Sequence, residues 1–305
     1  RRSVDFLANH AEAGRLARRD LLAGTATDGA ELVPTTLFGQ LYVSLREGAT
    51  SMFSLGRPII TQSGEQMDFP KNTAFSSASL IAEAGPIGES DPQFATISMG
   101  AYKYGLALQV SPELDADNAV PGALPWVIEQ AVDGIRRGVG GHLLTGTGTG
   151  QPNGIMNATT TTTVAGVTYP TADKLIETMY DITGPYRQGG AWLFNDDTVK
   201  GLRLLKDSDG QYLWQPGLQA GKPDVLLGRS VYTDSGIATV GANAKIGAFG
   251  DFQRAYLVRT VGSIRAERSV DYAFLNDLIT WRFLGRFDGE IMDNAAVTIL
   301  TNEAS

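Results

Sequence analysis

The stretch from 121 to 155 constrains the fold of this chain more than any other. Val127, Ile128, Ala131, Val132, Ile135, Val139 and Leu143 recur at spacings of three and four. On a helix they share one face, and that face must be buried. Asn118 offers a capping side chain and Pro121 a ring pre-set for a first helical turn, while Pro125 marks an equally acceptable start one turn later. Gly134, Gly138 and Gly141 fall on another face, each costing roughly 1 kcal/mol against alanine in a helix interior. Close approach by a neighbouring backbone is the expected compensation.

The helix is expected to end in Gly146-Thr147-Gly148-Thr149-Gly150-Gln151-Pro152-Asn153-Gly154, where alternating glycines permit positive φ and Pro152 forbids continuation. A phosphate-binding P-loop needs Gly-Lys-Ser/Thr at its end, and Gln151-Pro152 stands there instead. A dinucleotide fingerprint opens a helix after a strand, whereas here the helix comes first and the glycine spacing fails. A tight turn that redirects the chain is the reading the spacing favours.

With 305 residues the chain can bury a large core, as one big domain or two intertwined ones. No apolar run approaches the ~20 residues that span a bilayer, and no charged-then-apolar leader opens the chain, so a soluble protein without a membrane partner is expected. The absence of cysteine excludes disulfides and thiolate metal sites. A net charge of −8 argues against a broad basic surface that grips nucleic acid, but it suits a wall that faces packed DNA without sticking to it. Arg1 in place of methionine fits removal of an upstream segment and trimming equally well.

From 1 to 29 the pattern is poor. Arg15, Arg18 and Arg19 form a small basic cluster, read first as a solvated face and second as a contact to an acidic neighbour or nucleic acid. Leu32-Val33-Pro34 opens a packed segment in which Phe38, Leu41, Tyr42 and Leu45 are spaced like a short amphipathic helix. Residues 57–110 read as one very long hairpin: 59–69 alternates in part, and Tyr102, Tyr104, Leu106, Leu108 and Val110 alternate strictly. A long connection rich in Ser, Ala, Gly and Pro separates the two strands, which in a compact domain points to function or disorder. A protruding two-stranded arm is barely stable alone in water, so it must lie against something else.

Beyond the glycine turn, Thr159 to Val164 is too β-branched for a helix. Thr171 and Asn195 are expected helix caps, with Asp196 and Asp197 in a first turn and Arg203 and Lys206 near the end, as the helix dipole favours. That placement explains the two aspartates better than a catalytic pair does. Asp209-Gly210 reads as a hairpin turn rather than half a calcium loop. From Lys245 the chain turns β-rich. Its closing run, 296–300, is expected to return toward the long helix, leaving 156–250 as an insertion.

The residues carry little chemistry. His10 and His142 have no partner at ligand spacing, so a His-Glu-x-x-His zinc site is absent and His142 is read as structural. Ser54 lacks the first glycine of a Gly-x-Ser-x-Gly elbow. Carboxylates are scattered, and nothing in one dimension pairs them for acid-base work. No catalytic residue, cofactor or metal is assigned.

Taken in order, several motifs resemble the major capsid proteins of tailed double-stranded DNA bacteriophages, the HK97-like family. They are Gly29-Ala30-Glu31-Leu32-Val33-Pro34, Ala82-Glu83-Ala84-Gly85 with Ser90-Asp91-Pro92-Gln93-Phe94, Gln109-Val110-Ser111-Pro112-Glu113-Leu114, and the run from Gly146 to Ile155. Trp192-Leu193-Phe194-Asn195-Asp196, Leu227-Gly228-Arg229 and Ile246-Gly247-Ala248-Phe249-Gly250-Asp251 follow. The resemblance implies an α+β chain with the HK97-like capsid fold: an N-terminal arm (1–31), a peripheral domain (32–56, 104–160 and 255–305) with a spine helix near 118–145, an extended β-hairpin loop (57–103), and an axial domain (161–254). It further implies pentamers and hexamers closing into an icosahedral shell around double-stranded DNA, with decoration, portal and scaffold proteins as further partners, assembled in the bacterial cytoplasm. Lys71, Glu83, Arg15, Arg18, Arg19, Gly146, Gly148 and Gly150 are the residues expected to serve assembly.

Some members of that family join a loop lysine to a neighbour's asparagine with help from a glutamate. Lys71 is the only lysine between Arg57 and Met99, and Asn276 or Asn294 with Glu290 fall in the receiving region. These positions align to no motif, so a shell without covalent links is expected. The rival readings are an encapsulin-like compartment, which shares the fold and holds protein cargo, and a nucleotide-dependent enzyme built on the Gly146–Gly150 turn.

Overall fold

A computed structural model of the chain describes residues 50–78, 80, 81, 89, 91–112, 123–206, 209–214 and 224–304. The expected arm with Arg15, Arg18 and Arg19, the packed segment from Leu32 and Glu83 lie outside the described residues. In chain order the first elements are α1 (Ser51–Leu55), β1 (Arg57–Thr61), β2 (Met67–Ala74), β3 (Gln93–Met99), β4 (Tyr102–Val110) and α2 (Ala123–Thr145). Then come β5 (Thr161–Val164), α3 (Ala172–Asp181), α4 (Gly184–Arg187), β6 (Ala191–Phe194), α5 (Asp196–Arg203), β7 (Val225–Leu226) and β8 (Arg229–Thr233). The chain closes with β9 (Lys245–Gly250), α6 (Phe252–Ala255), β10 (Tyr256–Ala273), β11 (Leu278–Ile291) and β12 (Val297–Asn302). The described residues divide into two compact units. One draws on Leu106–Ala131 and Arg265–Phe283, the other on Leu45–Gly105, Val132–Ile264 and Leu284–Ser305.

The long helix α2 buries Ala131, Ile135, Val139 and Leu143, the face that the three-and-four spacing marks out. Its glycines correct an expectation. A Cβ added at Gly138 or Gly141 would meet no described atom within 4 Å. Among the described residues no backbone approaches either position, so none of them gives these two glycines a packing return for weakening the helix.

The expected hairpin over 57–110 is shorter than its sequence pattern. Only β2 and β3 pair with each other, antiparallel from Met67↔Met99 to Ala74↔Gln93, with an irregularity between Asn72 and Ala74. The outer parts leave for a four-stranded sheet of order β1-β10-β11-β4, in which β1 runs parallel to β10 from Arg57↔Leu257 to Thr61↔Val261. Alternation reveals a strand but not its partner.

The third sheet has six strands in the order β5-β12-β9-β6-β8-β7. The closing run, expected to return toward the long helix, pairs inside this sheet as β12, parallel to β5 and antiparallel to β9. Trp192, Phe194 and Phe249 are fully buried against Val164, Leu202, Ile246 and Leu300. The Trp192 ring lies 4.4 Å from Phe249 and 5.4 Å from Phe194, and its indole N–H donates to the Leu226 carbonyl at 3.1 Å, so the one polar atom of the ring is satisfied. Each such side chain contributes about 1.5–3 kcal/mol by leaving water. The caps stand where the sequence puts them: Thr171 Oγ1 accepts from Lys174 N–H ahead of α3, and Asn195 Oδ1 accepts from Asp197 N–H ahead of α5.

Candidate functional site: the hairpin arm, its root and the glycine turn

The β2–β3 arm is a two-stranded sheet by itself. No residue of β2 is fully buried, and on β3 only Met99, at the root, is. Between and beside the strands, Phe75, Leu80 and Phe94 are 84%, 104% and 67% exposed. Lys71, on β2, does reach the rest of the subunit: its Nζ stands 3.3 Å from Asp293 Oδ1. Asp293 also accepts from the Tyr186 hydroxyl at 2.7 Å. Burial works to raise its carboxyl, but the bonds from Tyr186 and Ala295 N–H and the Lys71 ammonium together hold it below the ordinary value.

At the root, one buried guanidinium ties both limbs of the arm to β10. Arg259 is 1% exposed. Its Nε donates to Thr61 Oγ1 (3.1 Å), Nη2 to the Ser63 carbonyl (2.9 Å), and Nη1 to the carbonyls of Gly100 (2.7 Å) and Met99 (3.3 Å). The chain leaves the body at 61–63 and returns at 99–100, so these bonds set where the arm departs. Asp288, also buried, supplies opposing charge to Arg259. Burial raises its carboxyl above the ordinary value even though Gly289 N–H and Gly100 N–H donate to it and Arg259 draws it down.

The glycine turn folds onto itself. Gly146 N–H donates to His142 O (2.8 Å), Gly148 N–H to Pro152 O (3.2 Å) and Gly154 N–H to Gly146 O (2.8 Å), while Gly148 and Gly150 take φ of +77° and +71°. A Cβ on Gly154 would stand 2.5 Å from the Leu144 carbonyl oxygen, so the turn closes only around a bare backbone. Side chains then bolt it down. Asn153 Nδ2 donates to Glu290 Oε1 (2.6 Å), Tyr256 O–H to Asn153 O (2.7 Å), and Lys245 Nζ to Asn157 Oδ1 (3.1 Å). Burial raises the Glu290 carboxyl despite the Asn153 bond, drives the Tyr256 hydroxyl well up, and with nearby Asp288 pushes Tyr104 up to about 12. Tyr104 O–H lies 2.8 Å from His142 Nδ1, which gives that imidazole a packing partner.

This geometry offers little to a ligand. The amides of Gly146, Gly148 and Gly154 are spent within the turn instead of converging on a phosphate. Among the described residues, no group of His, Asp and Glu is arranged to hold a metal ion, and no helix is long and apolar enough to cross a membrane. Of the residues considered for a covalent link, Glu290 is engaged by Asn153, and Asn294 Oδ1 accepts from Thr159 N–H at 3.0 Å. Asn276 lies exposed, beyond the end of β10. Sequence reasoning missed Arg259 and the Asn153, Asn157 and Lys245 contacts. The Asn153 signal, beside Pro152 and Gly154, was legible only as turn chemistry, and nothing local marks Arg259 as buried.

A model of the phage capsid family matches residues 29–302. Among solved structures, the capsid of a native GTA particle superposes with a TM-score of 0.79 at 22% identity, covering 93% of this chain and 99% of that one. A chain of Gordonia phage Cozz gives 0.67 at 17% identity over 95% and 99%, and one of Mycobacterium phage Cain 0.65 at 14% over 89% and 97%. These likenesses show the fold. A search of curated proteins finds no match. No finding supports a protein compartment or a nucleotide-dependent enzyme. The ordered motifs, the arm without cover and the family match over most of the chain lead to one conclusion: the chain belongs to the phage capsid family, as a structural protein of the icosahedral virion shell with the HK97-like fold.

Proposed function

We propose that this chain is the major capsid subunit whose copies form pentamers and hexamers and close into a shell around phage double-stranded DNA. The observation that carries this reading is the β2–β3 arm, with no fully buried residue on β2, only Met99 fully buried on β3, and Phe75, Leu80 and Phe94 in solvent. A subunit gains nothing from such a ribbon until another copy covers it. In this reading 57–103 is the extended loop laid over a neighbour, 161–254 lines the axes of the pentamers and hexamers together with β12, which pairs into its sheet, and the segments 32–56, 104–160 and the rest of 255–305 with the long helix form the periphery. The arm 1–31, with Arg15, Arg18 and Arg19, reaches another copy in the same manner, and Lys71, Glu83 and the Gly146–Gly150 turn serve assembly rather than chemistry. Decoration, portal and scaffold proteins are further partners of the lattice, which assembles in the host cytoplasm.

In this reading the subunits are held without covalent links, which the contacts of Lys71 with Asp293 and Glu290 with Asn153 within one chain support. Many modest contacts around a closed lattice then add by avidity. Imaging of purified particles is expected to show closed shells with nuclease-protected double-stranded DNA. Boiling them in detergent is expected to return a single band near 32.5 kDa. Shells filled with protein and free of DNA would overturn the content assigned here, and a ladder of multiples on the gel would overturn the non-covalent joining.

A further inference from the structure

We infer that an acidic loop of one copy docks into a basic-rimmed cleft of the next, the loop being the connection between β2 and β3 and the cleft the one lined by Arg57, Tyr186, Gln253, Arg254 and Asp293. This inference rests on the shell-forming reading and names the surface it uses. The cleft encloses about 610 Å³. Its floor is satisfied from within, since Tyr186 O–H and Lys71 Nζ both address Asp293. Its rim is not. Arg57 is exposed at the start of β1, and among the described residues its guanidinium has no ion pair or hydrogen bond. Arg254 is 71% exposed and holds Asp251 only at 3.5 Å, a surface pair of small worth. Gln253, exposed between them in sequence and rim, adds an amide able both to donate and to accept.

The loop supplies the complement. Residues 75–92 carry Glu83, Glu89 and Asp91 and no lysine or arginine. Glu89 and Asp91 are exposed. Phe75 and Leu80, beside them in the same connection, provide apolar area that makes a polar contact worth forming by excluding water from it. Arginine suits this role because its planar fork takes a carboxylate through two parallel bonds. The segment 1–31 is a poorer complement: its five arginines are matched by Asp5, Glu12, Asp20, Asp28 and Glu31, so it brings no net negative charge to this rim.

A charge exchange tests the pairing. With the unmodified chain assembling as the control, Arg57→Glu with Arg254→Glu is expected to lower the yield of shells at fixed subunit concentration by roughly tenfold or more, because like charges then face each other. Glu89→Arg with Asp91→Arg is expected to do the same. Combining all four substitutions in one chain restores assembly. All four positions are exposed, so the variants fold, which the unfolding midpoint of the unassembled subunit checks. If the control forms no shells, the shell reading fails and not the pairing. Either pair of reversals leaving assembly unchanged, or the fourfold variant failing to regain it, overturns the pairing. The lack of cysteine gives a second readout: Gln253→Cys with Asp91→Cys, oxidised by copper phenanthroline, is expected to yield a ladder of multiples on a non-reducing gel. A band at monomer size alone overturns the docking between copies.

Discussion

The glycine turn and the hairpin arm are both irregular departures from the packed sheets, yet they solve opposite problems. In the turn the amides of Gly146, Gly148 and Gly154 and the side chains of Asn153 and Asn157 find partners inside the chain, with Lys245, Tyr256 and Glu290 fastening them. In the arm the backbone is paired strand to strand, but among its side chains only Met99 at the root is fully buried. The difference teaches where stability and assembly reside. Buried polar groups left unpaired are expensive, so the subunit must satisfy its turn alone. Exposed apolar groups are tolerable in a monomer and useful to an oligomer, so in the proposed reading the arm is left for a neighbour. Arg259 stands at the junction of the two regimes, a fully buried cation whose only task is to hold the limbs of an uncovered ribbon.

The comparison breaks most readily at that junction. Replacing Arg259→Met removes all four bonds to residues 61–100 and leaves Asp288 buried without its opposing charge. A loss of about 3–5 kcal/mol is expected in urea unfolding of the subunit, because several buried acceptors lose their donor at about 1–3 kcal/mol each. A loss within the ~0.5 kcal/mol typical of a surface site would show that the root is no more demanding than the arm. The turn gives the next effect. Gly154→Ala drives a methyl into the Leu144 carbonyl and the Gly146 amide, both backbone and unable to yield as a side chain would. About 1–3 kcal/mol of destabilisation is expected, read in the same unfolding experiment.

The smallest stability change and the sharpest contrast come from the arm. Replacing residues 75–92 by Asn-Gly joins Ala74 to Gln93, which already pair, through a two-residue turn of the kind hairpins favour. The unfolding midpoint should hold to within ~0.5 kcal/mol while shells fail to form. A subunit that loses its fold, or shells that form normally, would each erase the division of labour between turn and arm.

Much of this was legible in one dimension. The three-and-four spacing of Ala131, Ile135, Val139 and Leu143 determined the long helix and its buried face, because a period of 3.6 leaves few alternatives. Thr171 and Asn195 determined two helix starts, because a cap is a local bond between residues two or three apart. The Ser-, Ala- and Gly-rich connection after β2 separates the paired strands and, among its described residues, holds the exposed Phe75 and Leu80. Tertiary structure decided the rest. Only pairing in space brought Arg259 to carbonyls about 160 and 196 residues away. Tertiary structure also placed β12 between β5 and β9 and turned 57–110 from one hairpin into a short arm with two flanking sheet strands. The physical reason is the same in each case: a strand's alternation fixes its two faces but carries no address for its partner, and a lone arginine carries no mark of the carbonyls that will surround it.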